Sequence, residues 1–319
     1  MIFEKSIVTS ILEKNYSILM PSFFEMQTEY LASLNLIYDD LDASLVGMVL
    51  TNYLYKSKIE HTGSADNISF ENFYNKDNYT MSLSTVKINK VSSIINIPRE
   101  TVRRKRDKLI KNKILYLDKK KKLLSLNTDM IDRRILNLQI ENLSKFLSKF
   151  TTFFIEKKLL NKSLTSEQIK KDVDTKFLIY LTKFLDFQIL YFSSLKKVMD
   201  IESIFIGLLC VLNSTSQLKK ENKVMSFKDV IQNIQTMKST VGLNVSSIAE
   251  ITKIPRTTVI RKINALEKKG FVRRDKFKRY FMGDVSNKNA TKIMLPIIDY
   301  NRTILVNFFL ECFNIYQKK

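Results

Sequence analysis

The chain has 319 residues, with 53 Lys and Arg against 32 Asp and Glu, so its formal charge at pH 7 is +21. A hydrophobic share of 45% excludes global disorder, and at roughly 150 residues per domain the length predicts two domains. Only 6 Gly and 4 Pro leave too little turn chemistry for a many-stranded sheet, so the expected fold class is mainly α.

In chain order, Met1 to Leu36 is apolar-rich and predicts a long helix broken near Pro21, followed by a shorter helix over Leu41 to Tyr55. Ser69-Phe70-Glu71-Asn72 reads as a helix N-cap. Val91 to Ile95 predicts a short helix, Asn96-Ile97 a tight turn, and Pro98 the favoured first position of a helix running to Asn112. The period then changes to two: Ile114 to Leu117 and Lys122 to Leu126 predict a β-hairpin around Asp118 to Lys121. Thr128 to Leu160 closes this part as a helix. Asp174 to Lys197 and Ile201 to Leu212 are again helical, and Ser226-Phe227-Lys228-Asp229 is a second N-cap. Ser247 to Thr252 and Pro255 to Lys269 predict another helix pair, turned at Lys253-Ile254 and stopped by Gly270. Phe271 to Arg274 and Arg279 to Met282 predict a second hairpin around Asp275 to Lys278, and Ile293 to Tyr316 a last helix.

These elements are one pattern written twice. Val91 to Lys119 and Ile248 to Lys276, offset by 157, are identical at 12 of 29 positions, among them Pro98/Pro255, Arg99/Arg256, Arg104/Arg261, Lys105/Lys262 and Leu109/Leu266. Self-similarity of this kind predicts two copies of one unit, residues 1–160 and 161–319, each with a helix-turn-helix and hairpin module, about 69–126 and 226–283.

In the second copy Val259, Ile263 and Leu266 recur at helical spacing and define a buried face. The opposite face presents Arg256, Thr257, Thr258, Ile260, Arg261 and Asn264, and in the first copy Arg99, Glu100, Arg103, Arg104 and Asp107. Arg106 stands where the second copy has Ile263, so its side chain must reach solvent. A helix placed in a DNA major groove needs such side chains: Arg for guanine edges, Thr or Asn for other edges, and further cations for phosphate. The hairpins carry Lys119, Lys120, Lys121 and Lys122 in one copy and Arg273, Arg274, Lys276, Lys278 and Arg279 in the other, cations suited to flanking phosphates or a minor groove.

Charge is concentrated on these modules. Residues 1–86 hold 5 Lys and Arg against 11 Asp and Glu, net −6; residues 87–122 hold 14 against 3, net +11; residues 244–279 hold 11 against 3, net +8. A charge kept for solubility would be spread, whereas a polyanion footprint gathers on the module that docks.

Other classes have little support. Cys210 and Cys312 lie far apart without CxxC spacing, which argues against a disulfide scaffold or a cysteine zinc site, and in their apolar surroundings both read as inert thiols. His61 is the sole histidine, and His61-Thr62-Gly63-Ser64 reads as a solvated loop. No Walker A or GxGxxG pattern is present, so no catalytic residue, metal or cofactor is expected. The longest apolar run, Ile204 to Leu212, is nine residues, short of the roughly 18 a membrane span needs. Met1-Ile2-Phe3-Glu4-Lys5 carries an early acid and no cleavable apolar core, and the expectation is a soluble cytoplasmic protein.

Ile251-Thr252-Lys253-Ile254-Pro255-Arg256-Thr257-Thr258-Val259, with Leu266-Glu267-Lys268-Lys269-Gly270-Phe271-Val272-Arg273-Arg274-Asp275, resembles the winged helix-turn-helix of bacterial MarR and IclR-type transcriptional regulators. The closest likeness covers about 40 residues in each copy. The resemblance implies that the helices at Pro98 and Pro255 are recognition helices, that the hairpins are wings, and that the long flanking helices are of the dimerisation type. Those families carry one winged helix per chain, whereas this chain carries two, so the resemblance implies a monomeric fused pseudodimer with pseudo-twofold symmetry. They commonly have Gly at the turn positions filled here by Asn96 and Lys253.

The leading expectation is a sequence-specific regulator that binds double-stranded DNA and reads two unequal half-sites about one helical turn apart. The alternatives are a plasmid-type replication initiator with tandem winged helices and a non-specific architectural DNA-binding protein. The resemblance also implies a small-molecule effector site between the long helices and the winged modules. Read from spacing alone, the aromatics crowding the long helices, Tyr16, Phe23, Phe24, Tyr30, Phe184, Phe187, Tyr191 and Phe192, are core.

Overall fold

A computed structural model describes residues 4–62, 68–74, 82–84, 86–130, 132–156, 164–221, 224–233, 242–283 and 287–317. Among them the chain is mainly helical, with fourteen α-helices and five short strands. In chain order these are α1 (Lys5–Lys14), α2 (Tyr16–Tyr38), α3 (Leu41–Thr62), α4 (Phe70–Phe73), β1 (Ser82–Ser84), α5 (Ile88–Ile95), α6 (Arg99–Lys111), β2 (Leu115–Asp118), β3 (Leu123–Leu126), α7 (Arg133–Glu156), α8 (Ser166–Thr175), α9 (Phe177–Leu195), α10 (Ile201–Glu221), α11 (Phe227–Asn233), α12 (Val245–Thr252), α13 (Arg256–Lys268), β4 (Val272–Arg274), β5 (Tyr280–Met282) and α14 (Lys288–Gln317).

The chain forms two compact units, and they do not follow the sequence halves 1–160 and 161–319. The first comprises Leu36–Lys197 and Asn307–Lys319; the second comprises Phe3–Asn35 and Val198–Val306. The long helix that precedes each helix–hairpin module in sequence is thereby exchanged. α9 belongs with α3 to α6, and α1 with most of α2 belongs with α10 to α13.

The first unit shows why. Most apolar side chains of α9, Phe177, Leu178, Phe184 and Phe187 among them, are buried. The Phe177 ring packs edge-on to Phe70 at 5.2 Å and Phe73 at 5.0 Å, while the Leu178 N–H donates to the Ile68 carbonyl at 3.2 Å. Polar anchors fix the register: Asn52 and Lys56 both donate to Asp186, at 2.7 and 2.6 Å. A phenylalanine cluster, Phe150 and Phe154 of α7 with Phe309 and Phe313 of α14, forms another part of this core.

In the second unit α2 makes the corresponding contacts. The Tyr16 ring lies 5.0 Å from Phe227, the Ser17 N–H donates to the Met225 carbonyl at 3.2 Å, and the Met225 N–H returns a bond to Ser17 Oγ at 2.8 Å. Asn35 Nδ2 donates to the Thr252 carbonyl at 3.0 Å, which ties the end of this segment to the last turn of α12.

Both hairpins form. β2 and β3 are antiparallel, from Leu115 opposite Leu126 to Asp118 opposite Leu123, and β4 and β5 pair from Val272 opposite Met282 to Arg274 opposite Tyr280. Each gains an addition that alternation in the sequence did not announce. β1 adds to β3, with Leu83 opposite Leu124, and Leu243 exchanges two backbone hydrogen bonds with Tyr280, at 3.0 and 2.8 Å.

Several boundaries differ from expectation. The first helix breaks at Asn15, whose amide donates to the Ile11 carbonyl, and α2 runs through Pro21. The segment expected as one helix over Asp174 to Lys197 is broken at Lys176, and α8 ahead of it starts at a capping box in which Thr165 and Gln168 satisfy each other's backbone N–H. The helix expected over Thr128 to Leu160 is a 3-10 turn at Thr128–Met130 followed by α7; residues 157–160 lie outside the described set. His61 and Thr62 end α3 rather than forming a loop, and Gly63 and Ser64 lie outside the described residues. α14 contains an 18-residue window of mean hydropathy 1.2, making it the one described helix long and apolar enough to cross a membrane by length and composition. Counting unbroken apolar runs missed it because Asp299, Asn301 and Arg302 interrupt the pattern. Of that window 28% is buried in the protein, Leu305 and Phe309 among it, while Ile293, Leu295 and Tyr300 are exposed.

Candidate nucleic-acid interface

α5 and α6 are joined by a turn that needs one left-handed residue, and Asn96 supplies it at φ 51°. The turn is closed by Ser92, whose hydroxyl donates to the Ile97 carbonyl at 2.7 Å. α12 and α13 are joined the same way, with Lys253 at φ 56° and the Ile254 N–H donating to the buried Thr252 hydroxyl at 3.2 Å. The strain of a left-handed lysine is thus held in place by the backbone and threonine bonds around it. Pro98 and Pro255 each stand immediately before the following helix, at φ −54° and −53°, and their carbonyls accept the first helical bonds, from Val102 and Val259.

The face read as apolar is buried: Val102 and Leu109 in α6, and Val259, Ile263 and Leu266 in α13. Arg106, where α13 has Ile263, stays largely covered rather than reaching fully into solvent, and its guanidinium binds the exposed Asp107, Nη2 2.7 Å from Oδ1. The opposite faces are open. Arg99, Glu100, Arg103 and Arg104 of α6, and Arg256, Thr257, Arg261 and Asn264 of α13, are exposed, with Thr258 half-buried. Arg103 pairs with Glu100 at 2.8 Å, so the one acid expected to read a base is engaged by its own helix.

One feature of each module escaped sequence reading. Lys105 and Lys262, among the identical positions, do not join the exposed face. Lys105 Nζ lies 2.6 Å from Asp40 Oδ2, with Lys108 also on Asp40 at 3.1 Å, and Lys262 lies 2.8 Å from Asp200 and 3.1 Å from Glu202. Asp40 also accepts from the Ala43 N–H and Asp200 from the Ser203 N–H, so each carboxylate caps one helix, α3 or α10, and clamps α6 or α13 to it. Burial pushes both carboxyls up, but the lysine and backbone hydrogen bonds outweigh it and hold both pKa values below the ordinary carboxylate range.

The hairpin tips differ. In the first, Lys119 to Lys122 are all exposed, and Asp118 accepts from the Lys120 and Lys121 N–H groups at 2.9 and 3.0 Å. In the second, Lys276 and Lys278 are exposed, whereas Arg274 pairs with Glu267 at 3.2 Å and Arg279 with Asp275 at 2.8 Å. Arg273 sits over the Phe281 ring at 4.6 Å. Lys276 lies over the Phe277 ring at 5.1 Å, so four of the five cations expected on this hairpin have partners within it or on the adjoining helix.

Elsewhere the chemistry is sparse. No cluster of metal-ligating side chains occurs among the described residues. Cys210 and Cys312 are buried, and burial pushes the Cys210 thiol up to about 12 and Cys312 well above its ordinary value. The eight aromatics of the long helices, Tyr16 to Phe192, are all buried as core. No family model matches the chain, and no match was found among curated proteins or solved structures.

Proposed function

We propose that the chain is a sequence-specific regulator that binds double-stranded DNA through two winged helix-turn-helix modules, residues about 69–126 and 226–283, derived from one duplicated unit. The observation that carries this is the coincidence of charge and geometry. The two modules hold net charges of +11 and +8 over residues 87–122 and 244–279, and the exposed faces of α6 and α13 display arginines at matching places, Arg99 with Arg256 and Arg104 with Arg261. A helix preceded by a tight turn and followed by a basic hairpin is the arrangement that presents side chains to a major groove and cations to flanking phosphates.

The matched contacts support duplication. Tyr16 on Phe227 and Phe177 on Phe70, and the clamps Lys105–Asp40 and Lys262–Asp200, are the same interactions at corresponding positions. Exchange of the long helices between modules suits a fused pair in which each half completes the other. The reading faces differ, Glu100 against Thr257 and Asp107 against Asn264, so the half-sites are unequal.

The test is selection of bound duplexes from a random library at near-physiological salt. The expected result is two unequal half-sites in inverted orientation, with log K falling against log salt at a slope of roughly −7 to −11 if about 8 to 12 phosphates are engaged. Direct repeats would transfer the weight to a replication initiator, and salt-dependent binding with no enriched motif would leave an architectural protein. Unchanged specific binding by Arg99→Ala with Arg256→Ala would overturn the assignment of the two helices.

A further inference from the structure

The second hairpin carries a side chain that charge does not explain. Phe277, at its tip, is 65% exposed and is flanked by Lys276, Lys278 and Arg279. Hydrogen bonds tie the tip around it: Asp275 Oδ1 accepts from the Phe277 and Arg279 N–H groups, each at 2.9 Å, Oδ2 accepts from Arg279 Nε at 2.8 Å, and the Lys278 N–H donates to the Asp275 carbonyl at 3.1 Å. Lys276 Nζ lies 5.1 Å and Arg279 Cζ 4.9 Å from the ring centroid. The ring is thus presented on a hydrogen-bonded loop, with two cations resting beside it, Arg279 also paired to Asp275. The first hairpin lacks this: at the offset of 157 the matching residue is Lys120.

We propose that Phe277 is an apolar wedge that enters the DNA minor groove beside the half-site read by α13 and opens a base step, while the first hairpin binds backbone phosphate by charge alone. This rests on the DNA-binding reading above. The ring of a side chain pushed between base pairs unstacks them and bends the duplex, and a flexible pyrimidine–purine step deforms with least cost. The surrounding charge selects the occupant: the exposed Lys276 and Lys278 complement a phosphate backbone and would repel a basic partner surface.

The experiment uses the full chain and a duplex enriched in the library selection, with 2-aminopurine placed in turn at steps flanking the second half-site and a donor–acceptor dye pair at the duplex ends. If the wild-type chain enriches and binds no duplex, the underlying reading fails, and this one with it. With binding established, Phe277→Ala is expected to weaken it roughly ten-fold or more, leave the salt slope unchanged, and abolish both the 2-aminopurine signal and the bend, while Phe277→Trp keeps them. Phe277→Lys is the decisive variant. A hairpin that works by charge alone binds more tightly with the added lysine, whereas a wedge binds more weakly and loses the bend. Affinity within two-fold of wild type for Phe277→Ala with the bend intact, or tighter binding by Phe277→Lys, would overturn the proposal.

Discussion

Lys105 Nζ sits 2.8 and 2.6 Å from the two carboxylate oxygens of Asp40, with both side chains largely buried at 17% and 15% exposure. The carboxylate is thereby satisfied from two directions, by the helix it caps and by the helix it holds. Removing it leaves a half-buried ammonium without its partner and an uncapped α3. Asp40→Ala is expected to destabilise by roughly 2 to 4 kcal/mol, combining the cap with the broken pair. Asp40→Asn keeps an oxygen for the Ala43 N–H and should lose only about 1 to 2 kcal/mol. Urea midpoints of the two variants measure the difference, and a shift below about 0.5 kcal/mol for Asp40→Ala would remove the clamp from the account of how α6 is positioned.

Acid should release the same clamps. Asp40 and Asp200 both titrate below the ordinary carboxylate value of 3.8 in the folded chain, burial opposing but Lys105 and Lys262 prevailing. As pH falls past that value the unfolded carboxyls take up protons first, so the unfolded state binds more protons and stability falls with falling pH. The contribution is complete above the ordinary value and disappears as pH drops through the lowered folded values. Asp40→Asn with Asp200→Asn should therefore flatten the acid limb of stability against pH below about pH 4. Denaturant midpoints taken between neutral and acidic pH decide it, and parallel limbs for variant and wild type would mean that other carboxyls carry the acid sensitivity.

Local order was legible where periodicity or a stop signal wrote it. The face Val259, Ile263 and Leu266, the end at Gly270 and both hairpins could be read because spacing alone determines which side chains share a face. The partner of each long helix could not. α2 and α9 are apolar around most of their circumference, so periodicity does not say which module they cover, and their exchange appears only in the packing of Phe177 on Phe70 and Tyr16 on Phe227. The added strand Ser82–Ser84 lacks the β-branched and aromatic residues that announce strands. Of the candidate binding face, the exposed arginines were legible, but not that Glu100, Arg274 and Arg279 have partners of their own or that Lys105 turns inward to Asp40.

The Glu100–Arg103 pair yields a prediction about affinity rather than stability. Both side chains are more than half exposed, and such pairs are worth about 0 to 1 kcal/mol, so the pair opens easily. Glu100→Gln removes a negative charge from a face proposed to meet phosphates and releases Arg103 to join it. Binding to unrelated duplexes should tighten about three- to ten-fold. If Glu100 accepts from a cytosine amino group, discrimination at that base pair should fall by about 1 to 3 kcal/mol while folding stability stays within about 0.5 kcal/mol. Fluorescence anisotropy on the selected duplex and on one changed at that pair reads both effects, and no change in either would place Glu100 away from the DNA.

α6 and α13 end in the same motif built from different residues, which gives a paired test of backbone strain. After α13, Gly270 at φ 77° donates to the Glu267 carbonyl and Phe271 to the Leu266 carbonyl, both at 2.9 Å; after α6, Lys113 at φ 58° donates to Ile110 and Ile114 to Leu109, both at 3.0 Å. Both are left-handed helix stops that glycine fills without a Cβ penalty. A Cβ at Gly270 would also collide with the Asn287 side chain and stand 3.2 Å from the Ala290 Cβ. Gly270→Ala is therefore expected to cost about 2 kcal/mol or more, whereas Lys113→Gly relieves a strained lysine and should stabilise by about 0.5 to 1 kcal/mol, less than the full left-handed penalty because glycine gains freedom in the unfolded chain. Thermal midpoints moving in opposite directions for the two variants are the expected outcome. A destabilised Lys113→Gly would show that the lysine side chain makes a contribution larger than the strain it imposes.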